Sequence, residues 1–414
     1  MQNATLGQNR NFRLLLTSAG VSNLGDGVSA LAFPWLATLI TRDPLLIALV
    51  GFATRLPWLL FAIPAGAFID RFDRRQIMLR ADLVRLVLTI GVVALIISLP
   101  ALPPPQNEAL YIGALSALAF LLGMAEVMRD NAAQTVLPSV VAEPDLETAN
   151  GRIWSVEKIM GSFVGPPLAG VLIAMSVPAP FLLDAATFAI AATLIWAMAI
   201  PKHSPPARRP LRMELAEGWA WMRGHAVIFR LALMLGLMNG AGMLVMSMLV
   251  LYAQEILGLG PVGYGLLLSA GAAGGVMGGL IGPRIIARIG RQAGVMVPLA
   301  VMPLGYAIYA LSAHPVLAGL AEFSIVFCGM LWNIVTVSYR QRHIPDALLG
   351  RVNALYRFFG WGSLSLGALL AGVLVSLAEP SMGRDLALRV PFALATVIGL
   401  GLLVYGAKRL RVET

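Results

Sequence analysis

One stretch decides the fold of this chain: Gly66-Ala67-Phe68-Ile69-Asp70-Arg71-Phe72-Asp73-Arg74-Arg75. Five of its last six residues are charged, whereas residues 45–69 are apolar except for Arg55 and residues 78–99 carry charges only at Arg80, Asp82 and Arg85. Apolar runs of this length span a bilayer as helices, and a short arginine-rich segment between them marks the cytoplasmic side. The stretch therefore predicts a tight cytoplasmic loop between two membrane-spanning helices.

The composition of the whole chain agrees with a membrane location. Hydrophobic residues make up 58% of the 414 residues and charged residues only 12%, about half of what soluble domains carry. So much apolar surface requires a lipid bilayer as partner. The net charge of +9 is spread over the ends of apolar runs rather than gathered in one patch, so we do not predict nucleic-acid binding.

Twelve apolar spans result when the sequence is divided at prolines, glycines and charge clusters. A bilayer tolerates only elements that satisfy their own backbone hydrogen bonds, so we predict an all-α integral membrane protein of twelve transmembrane helices in two six-helix, pseudo-repeated halves. The predicted spans are 12–40, 45–69, 78–100, 109–130, 150–176, 178–200, 228–254, 262–286, 294–313, 315–340, 352–378 and 389–408.

Lysine and arginine are unevenly distributed over the loops. They follow the even-numbered spans, as at Arg74, Arg209 and Arg291, and they flank both termini, whereas loops after odd-numbered spans carry mainly Arg42, Arg384 and Arg389. By the positive-inside rule, both termini are predicted to be cytoplasmic. We expect a multi-pass protein of the inner (cytoplasmic) membrane.

A polar segment divides the chain into halves. Between Pro201 and Arg230 the sequence is rich in proline and arginine and then places Leu211, Leu215, Trp219 and Met222 at helical spacing. We predict an N-terminal six-helix half at 1–200, a cytoplasmic linker at 201–227 whose amphipathic helix lies on the inner membrane surface, and a C-terminal half at 228–414.

An internal repeat supports this division. Leu168-Ala169-Gly170-Val171-Leu172 recurs as Leu370-Ala371-Gly372-Val373-Leu374, and Pro144-Asp145 recurs as Pro345-Asp346. Parallel repeats of six spans, with a substrate route between them, are typical of transporters.

Two motifs resemble those of major facilitator superfamily transporters. Gly66, Asp70, Arg71, Arg74 and Arg75 match the G-x-x-x-D-R-x-x-R-R loop of that superfamily, with Asp73 where a glycine is usual. The run from Gly161 to Gly170 is similar to the G-x-x-x-G-P-x-x-G-G motif of its antiporter and exporter branches, through the residues Gly161, Gly165, Pro166 and Gly170, with Ala169 in place of one glycine.

The resemblance extends over essentially the whole chain. Leu24-Gly25-Asp26 and Leu183-Asp184 are similar to the macrolide and siderophore exporter branch, which comprises drug:proton antiporters. The resemblance implies export by alternating access, with the loop motif acting as a cytoplasmic gate. A solvated positive-inside loop is the alternative from spacing alone.

Charged residues near the cytoplasmic ends of the spans form a candidate inner gate of exchangeable ion pairs together with the loop motif. A static network at helix ends would use the same residues. The candidates are Asp82, Arg85, Glu126, Arg129, Asp130, Glu157 and Lys158.

Two further charges are expected near mid-depth in the bilayer. Asp26 in span 1 and Arg55 in span 2 can face one another, and intramembrane charges are costly enough to be functional candidates. We expect either a proton-coupling pair or a structural salt bridge. Asp184, Glu255 and Glu322 are interpreted as helix-end residues near the outer face.

Mid-depth aromatic, methionine and asparagine residues are candidates for an adaptable, mainly apolar substrate cavity, although many could contact lipid or neighbouring helices instead. The candidates are Phe33, Trp35, Trp58, Phe61, Asn239, Met243, Trp332, Asn333, Phe359 and Trp361.

These features predict a monomeric secondary transporter, not an enzyme, that exports an amphipathic or lipophilic small molecule in exchange for protons. No ATP-binding G-x-x-x-x-G-K-[ST] motif occurs, and the single cysteine and four scattered histidines give no metal-ligand spacing, so neither cofactor nor metal is predicted. A lipid or lysolipid flippase and a non-transporting membrane sensor or assembly factor are the alternatives, and a metal exporter is a more distant one.

Overall fold

The computed structural model describes residues 6–69, 72–199 and 211–412, except for the side chains at 62–69, 143, 147, 211, 212, 214, 215, 346, 347, 349 and 350. Over these residues the chain forms fourteen α-helices and no strand. The helices are α1 (Arg10–Ile40), α2 (Pro44–Ile69), α3 (Arg74–Ser98), α4 (Glu108–Val140), α5 (Leu146–Lys158), α6 (Gly165–Met175), α7 (Ala179–Trp196), α8 (Leu211–Gly224), α9 (Ala226–Glu255), α10 (Pro261–Ile289), α11 (Arg291–Leu311), α12 (Pro315–His343), α13 (Asp346–Met382) and α14 (Arg384–Arg409).

The predicted all-α membrane architecture is confirmed. In the described part of the chain, eleven helical segments are long and apolar enough to cross a bilayer. One of them joins α5 and α6 through a π-helical turn at Ile159–Val164. Helix α1, with 31 residues, lies where the first of the twelve spans was predicted and carries the polar residues Asn23 and Asp26.

The largest boundary error concerns α4, which continues to Val140 rather than ending at residue 130. The charges of Arg129 and Asp130 favoured a helix end at the membrane surface. Arg129 is instead buried, with 1% of its surface exposed, so the helix passes through this position. Charges mark a helix end only when water solvates them.

The chain folds into two compact units, each with its own apolar core. Unit 1 comprises Met1–Thr41 and Ala53–Arg208, and unit 2 comprises Arg42–Phe52 and Arg209–Thr414. Phe12, Met78 and Val127 are buried in the core of unit 1, and Trp332 and Leu402 in that of unit 2.

Corresponding helices pack together in the two units. In unit 1, α1 packs on α6 and α7, and α3 packs on α4 and α7. In unit 2, α9 packs on α13 and α14, and α11 packs on α12 and α14. These pairs occupy the same places in the order of six spans, so the sequence repeat corresponds to a repeated helix arrangement.

Unit 2 also includes the N-terminal part of α2, although α2 belongs to the first half of the sequence. Gly372 of α13 packs so closely on Leu45 that a Cβ atom there would lie 3.0 Å from the Leu45 Cα atom. Arg384 donates hydrogen bonds to the Arg42 carbonyl oxygen (2.8 Å) and to the Glu255 carboxylate (2.8 Å). These contacts hold the loop before α2 within unit 2.

Helix α8, predicted to lie on the membrane surface, packs on protein along its described apolar side. Met222 is fully buried in the unit 2 core, and the Trp219 ring stacks on Phe359 with centroids 6.1 Å apart. Glu217 of the opposite side accepts a hydrogen bond from Arg351 (2.5 Å). The described part of α8 is therefore a packed element of unit 2.

Candidate functional site

Unit 1 contains a set of buried and half-buried charged side chains between its helices, which we name the carboxylate–arginine cluster. Helix spacing explains part of it, because residues three or four positions apart share a helix face. Asp82 and Arg85 share one face of α3, and Glu126 shares a face of α4 with Arg129 and Asp130. The cluster consists of Asp26, Asp82, Arg85, Glu126, Arg129, Asp130 and Asp184.

Asp82 lies at the centre of the cluster and is fully buried. Its carboxylate oxygen is 3.4 Å from Arg129 Nε and 3.8 Å from Arg85 Nη1. Within the described part of the chain, neither Asp82 oxygen accepts a hydrogen bond of good geometry. The charge of Asp82 is thus balanced by two arginines that lie close to it without a well-aligned hydrogen bond. In such an arrangement either arginine can exchange Asp82 for another carboxylate.

The two arginines connect this centre to α1. Arg129 Nη2 donates to the Ser18 carbonyl oxygen at 3.3 Å, and Arg85 Nη1 donates to Ser22 Oγ at 3.1 Å. The Arg85 guanidinium also lies 4.0 Å from the centroid of the Phe188 ring on α7, a cation–π contact. Arg85 of α3 therefore contacts two other helices of unit 1, α1 and α7.

Asp26 forms its ion pair with Arg85, and the expected pairing with Arg55 is wrong. Arg55, partly buried in α2, has no ion-pair partner among the described residues, and the charge it attracts is that of Glu126. The physical reason is the packing order: in this structure the side chain of Asp26 reaches α3 rather than α2. Asp26 thus belongs to the same cluster as the predicted inner gate.

Asp184 also belongs to the cluster, although its place near the start of a predicted span led to its interpretation as a helix-end residue. In the structure it is buried, with 1% exposure, and Ser29 Oγ donates a hydrogen bond to its Oδ2 at 2.5 Å. Its other carboxylate oxygen has no partner in the described regions, and it interacts electrostatically with Asp26 and Arg85. The sequence signal that could have indicated a buried carboxylate is Asp184 itself, which follows Leu183 inside an apolar run.

Carboxyl groups outnumber cations in this cluster. Asp130 pairs with Arg129 at 3.6 Å, and Glu126 interacts with Asp26, Asp130 and Arg85. Five carboxyl groups therefore share two arginines inside the cluster, with Arg55 acting on Glu126 from outside it. Glu157 interacts with Asp130 and Arg129 from α5, whereas Lys158 is exposed.

The loop motif contacts helix ends where the structure describes it. Arg74 donates to the Thr135 carbonyl oxygen at 2.7 Å, and Arg75 donates to the Ile195 carbonyl oxygen at 3.1 Å and to that of Trp196. Arg75 thereby binds the C-terminal end of α7, where a cation is favoured. Asp73, in place of the usual glycine, caps α3 by accepting from Gln76 N at 3.2 Å.

The loop motif also includes Gly66, Asp70 and Arg71. Gly66 lies in the last turn region of α2, and Asp70 and Arg71 lie outside the described residues. Their predicted role in the gate stays a prediction.

The glycine motif lies at a close helix crossing in unit 1. A Cβ atom on Gly165 would lie 2.6 Å from the Gly27 Cα atom, and one on Gly161 would lie 3.2 Å from the Asn23 carbonyl oxygen. The π-helical turn at Ile159–Val164 directly precedes Pro166 and Pro167, which cannot donate backbone hydrogen bonds. Buried Gly170 continues the same helix. Such a turn is a frequent feature of functional helices.

The predicted cavity residues are distributed over both units. In unit 1, Phe33 packs edge-on against Phe181 (5.4 Å between centroids), and Trp35 is buried. Phe61 packs edge-on against Phe120 (6.3 Å), and Trp58 packs at the edge of the unit 1 core.

In unit 2 the same candidates fall into three environments. Trp332 is buried in the core, whereas Asn333 and Trp361 are exposed. Asn239 donates to the Gly360 carbonyl oxygen at 2.8 Å and so joins α9 to α13. Met243 packs against Gly367, and Phe359 stacks on Trp219.

A comparison with known protein families shows the family to which the chain belongs. The profile of the transmembrane secretion effector family matches residues 4–406. The chain belongs to this family of major facilitator superfamily transporters. It is therefore a membrane transporter and not an enzyme, as the resemblance of its motifs implied.

Relatives of this transporter include two kinds of exporter. The multidrug efflux pump Tap of Mycobacterium tuberculosis is 26% identical, over 94% of this chain and 92% of Tap. The enterobactin exporter EntS of Citrobacter koseri is 25% identical, over 95% of this chain and 90% of EntS. A solved structure of a mutant of the nucleoside transporter NupG has the same fold, with a TM-score of 0.77 at 13% identity, covering 97% of this chain and all of NupG (100%).

Proposed function

We propose that this transporter exports an amphipathic or lipophilic small molecule in exchange for protons, by alternating access. The observation that carries the proposal is the excess of carboxyl groups over arginines in the carboxylate–arginine cluster. An uncompensated buried carboxylate is strongly unfavourable inside a membrane. The cluster is therefore a natural place to bind and release protons.

Asp26 is the proposed coupling residue, with Arg85 rather than Arg55 as its partner. When Asp26 is ionised, its carboxylate binds Arg85. When Asp26 takes up a proton this attraction is lost, and Arg85 can move to Asp82, which lies 3.8 Å away and accepts no hydrogen bond from the described residues. Protonation of Asp26 thus moves the ion pair of Arg85 from a partner on α1 to a partner on α3, the helix that carries Arg85.

This exchange of partners links protonation to helix position. Arg85 and Asp82 are both on α3, whereas Asp26 is on α1. A proton on Asp26 therefore replaces an ion pair between two helices with one inside a single helix. Such a change favours one conformation over another by the difference in their interaction energies.

The class of substrate is proposed from the relatives and from composition. Tap is named a multidrug efflux pump and EntS an enterobactin exporter, and both names denote outward transport. The predicted cavity residues are largely aromatic, with one methionine, and such side chains bind amphipathic or lipophilic molecules through apolar contacts.

Proteoliposomes test the proposal directly. Purified protein is screened by thermal shift against drugs, siderophores and lysolipids, since a binder raises the melting temperature. The best binder is then added to proteoliposomes that contain a trapped pH indicator. We expect the movement of the binder to drive proton movement in the opposite direction. Transport without proton movement would refute antiport, and transbilayer movement of lysolipid alone would establish a flippase.

The proposed placement is the inner (cytoplasmic) membrane as a monomer, with both termini cytoplasmic. Single cysteines introduced near Arg74 and Arg291 should react with membrane-impermeant reagents only from the cytoplasmic side, and those near Asn107 and Met382 only from outside. A reversed loop would refute the orientation.

A further inference from the structure

Unit 2 contains a buried carboxyl group that the proposed coupling site does not use. Glu322 lies two turns into α12, with 4% of its surface exposed, rather than at a helix end as its sequence position suggested. No described basic residue forms an ion pair with it. A charged carboxylate without a cation is costly in such a place.

The hydrogen bonds around Tyr309 favour a proton on Glu322. The Tyr309 hydroxyl lies 2.8 Å from Glu322 Oε2 and 3.2 Å from the Ala318 carbonyl oxygen. A tyrosine hydroxyl has one hydrogen to donate, and a carbonyl oxygen can only accept. If Glu322 is ionised, Tyr309 can satisfy only one of these two acceptors. If Glu322 carries a proton, it can donate to Tyr309 while Tyr309 donates to Ala318.

Every other titratable group that faces Glu322 in the described regions is a tyrosine. Tyr264 of α10 and Tyr306 of α11 interact with it, and Tyr252 of α9 contacts the Tyr309 ring at 5.6 Å between centroids. The Tyr306 hydroxyl is buried and has no hydrogen-bond partner within the described part of the chain. These groups are neutral under physiological conditions.

The packing around Glu322 leaves room for a proton but not for a larger ligand. A Cβ atom on Gly271 of α10 would lie 2.9 Å from Glu322 Cγ and 3.0 Å from Oε1, so the α10 backbone packs directly on this side chain. Tyr264, Tyr306 and Tyr309 are each at most 2% exposed. A metal ion needs several oxygen ligands around it, and a drug-sized molecule needs a cavity.

We infer that Glu322 is a second proton-binding site, located in unit 2, which carries its proton when Tyr309 bridges it to Ala318 and releases the proton when this contact opens. The inference rests on proton exchange as the proposed function and adds a proton carrier outside the carboxylate–arginine cluster. Because Tyr309 belongs to α11 and Glu322 to α12, movement between these helices would control the release.

Infrared spectroscopy of the protein in lipid tests this inference without any substrate. We expect the wild-type spectrum near neutral pH to contain a carboxylic-acid carbonyl band that Glu322→Gln lacks. Glu379→Gln, which removes a carboxyl group paired with Arg384 at 3.0 Å, is the matched control and should retain the band. In Tyr309→Phe the band should move to higher frequency, because the carboxyl O–H loses its acceptor.

A pH titration of the same band separates a proton carrier from a fixed neutral acid. We expect the Glu322 band to disappear reversibly as the pH is raised, within the range in which circular dichroism shows the protein folded. Absence of the band at neutral pH would overturn the inference, and so would a band that persists until the protein unfolds. Proteoliposome flux without proton movement would instead refute the proposed antiport, whatever this titration shows.

Discussion

The two units share a helix arrangement but differ in the partners of the arginines inside them. In unit 1, Arg129 of α4 lies 3.4 Å from the Asp82 carboxylate. In unit 2, Arg340 of α12, the corresponding span, binds Asn353 Oδ1 at 2.7 Å and lies 3.7 Å from the centroid of the Tyr356 ring. The described partners of Arg340 are thus neutral, whereas Arg129 neutralises a carboxylate.

This difference predicts different roles for the two units. Ion pairs can exchange partners at small cost when several carboxylates surround each arginine, as in unit 1. Neutral hydrogen bonds and cation–π contacts keep one arrangement, as in unit 2 around Arg340. The carboxylate–arginine cluster is therefore expected to respond to protons and to conformational change, while unit 2 contributes the buried carboxyl group of Glu322, which we infer to carry a proton.

Removal of one arginine from each of these two corresponding spans should have the largest and most unequal effects. Arg129→Met leaves Asp82 buried with a weaker partner at 3.8 Å, and the loss of one partner from a buried pair costs about 3–5 kcal/mol. Arg340→Met loses a cation–π contact and two hydrogen bonds to neutral groups, about 1 kcal/mol after desolvation is relieved. Unfolding in detergent measures both, and equal losses would contradict the comparison.

Glycine substitutions should show that helix packing, unlike charge, is alike in the two units. A Cβ atom on Gly27 would overlap the Gly161 backbone in unit 1, and one on Gly274 would overlap the Phe323 backbone in unit 2. We expect Gly27→Ala and Gly274→Ala each to lower stability by about 1–3 kcal/mol. Gly279→Ala is the control, because nothing lies within 4 Å of its Cβ position, and it should cause no loss.

The smallest effect is expected for Asp184, a buried carboxyl group of unit 1 that forms no ion pair with a described residue. Asp184→Asn keeps the acceptor for Ser29, so its effect on unfolding should be below about 1 kcal/mol. Asp82→Asn, which removes a carboxylate between two arginines, is the comparison and should cost more. A loss for Asp184→Asn as large as that for Asp82→Asn would show that Asp184 is held as an essential anion.

The spans were predictable because hydropathy is a local property of the sequence. Each of the twelve predicted spans coincides with a helix or with the joined α5 and α6, and the main error, at the end of α4, arose where buried Arg129 looked like a surface charge. Hydropathy reports whether a segment is apolar, and it does not report which neighbour a buried charge will face.

The partners of the buried charges could not be predicted for the same reason. The choice of Arg85 rather than Arg55 by Asp26 depends on which helices pack together and how each is rotated about its axis. Likewise, Asp184 and Glu322 lie close to the predicted ends of spans, and only the packing of α1 and α11 against them shows that they are buried. The inner-gate residues of α3 and α4 were grouped by their position near the cytoplasmic ends of the predicted spans, and helix spacing explains which of them share a face.

The most direct test of the account is gradient-driven transport by Asp26→Asn in proteoliposomes. The substitution removes the charge that binds Arg85 but keeps the size of the side chain and an oxygen acceptor. Asp385→Asn, which alters an exposed pair with Arg389 at 3.1 Å, is the matched control. We predict that Asp26→Asn loses accumulation driven by an imposed pH difference at least tenfold and retains downhill flux, while Asp385→Asn behaves as wild type. Retained gradient-driven accumulation in folded Asp26→Asn protein would contradict the assignment of proton coupling to the carboxylate–arginine cluster.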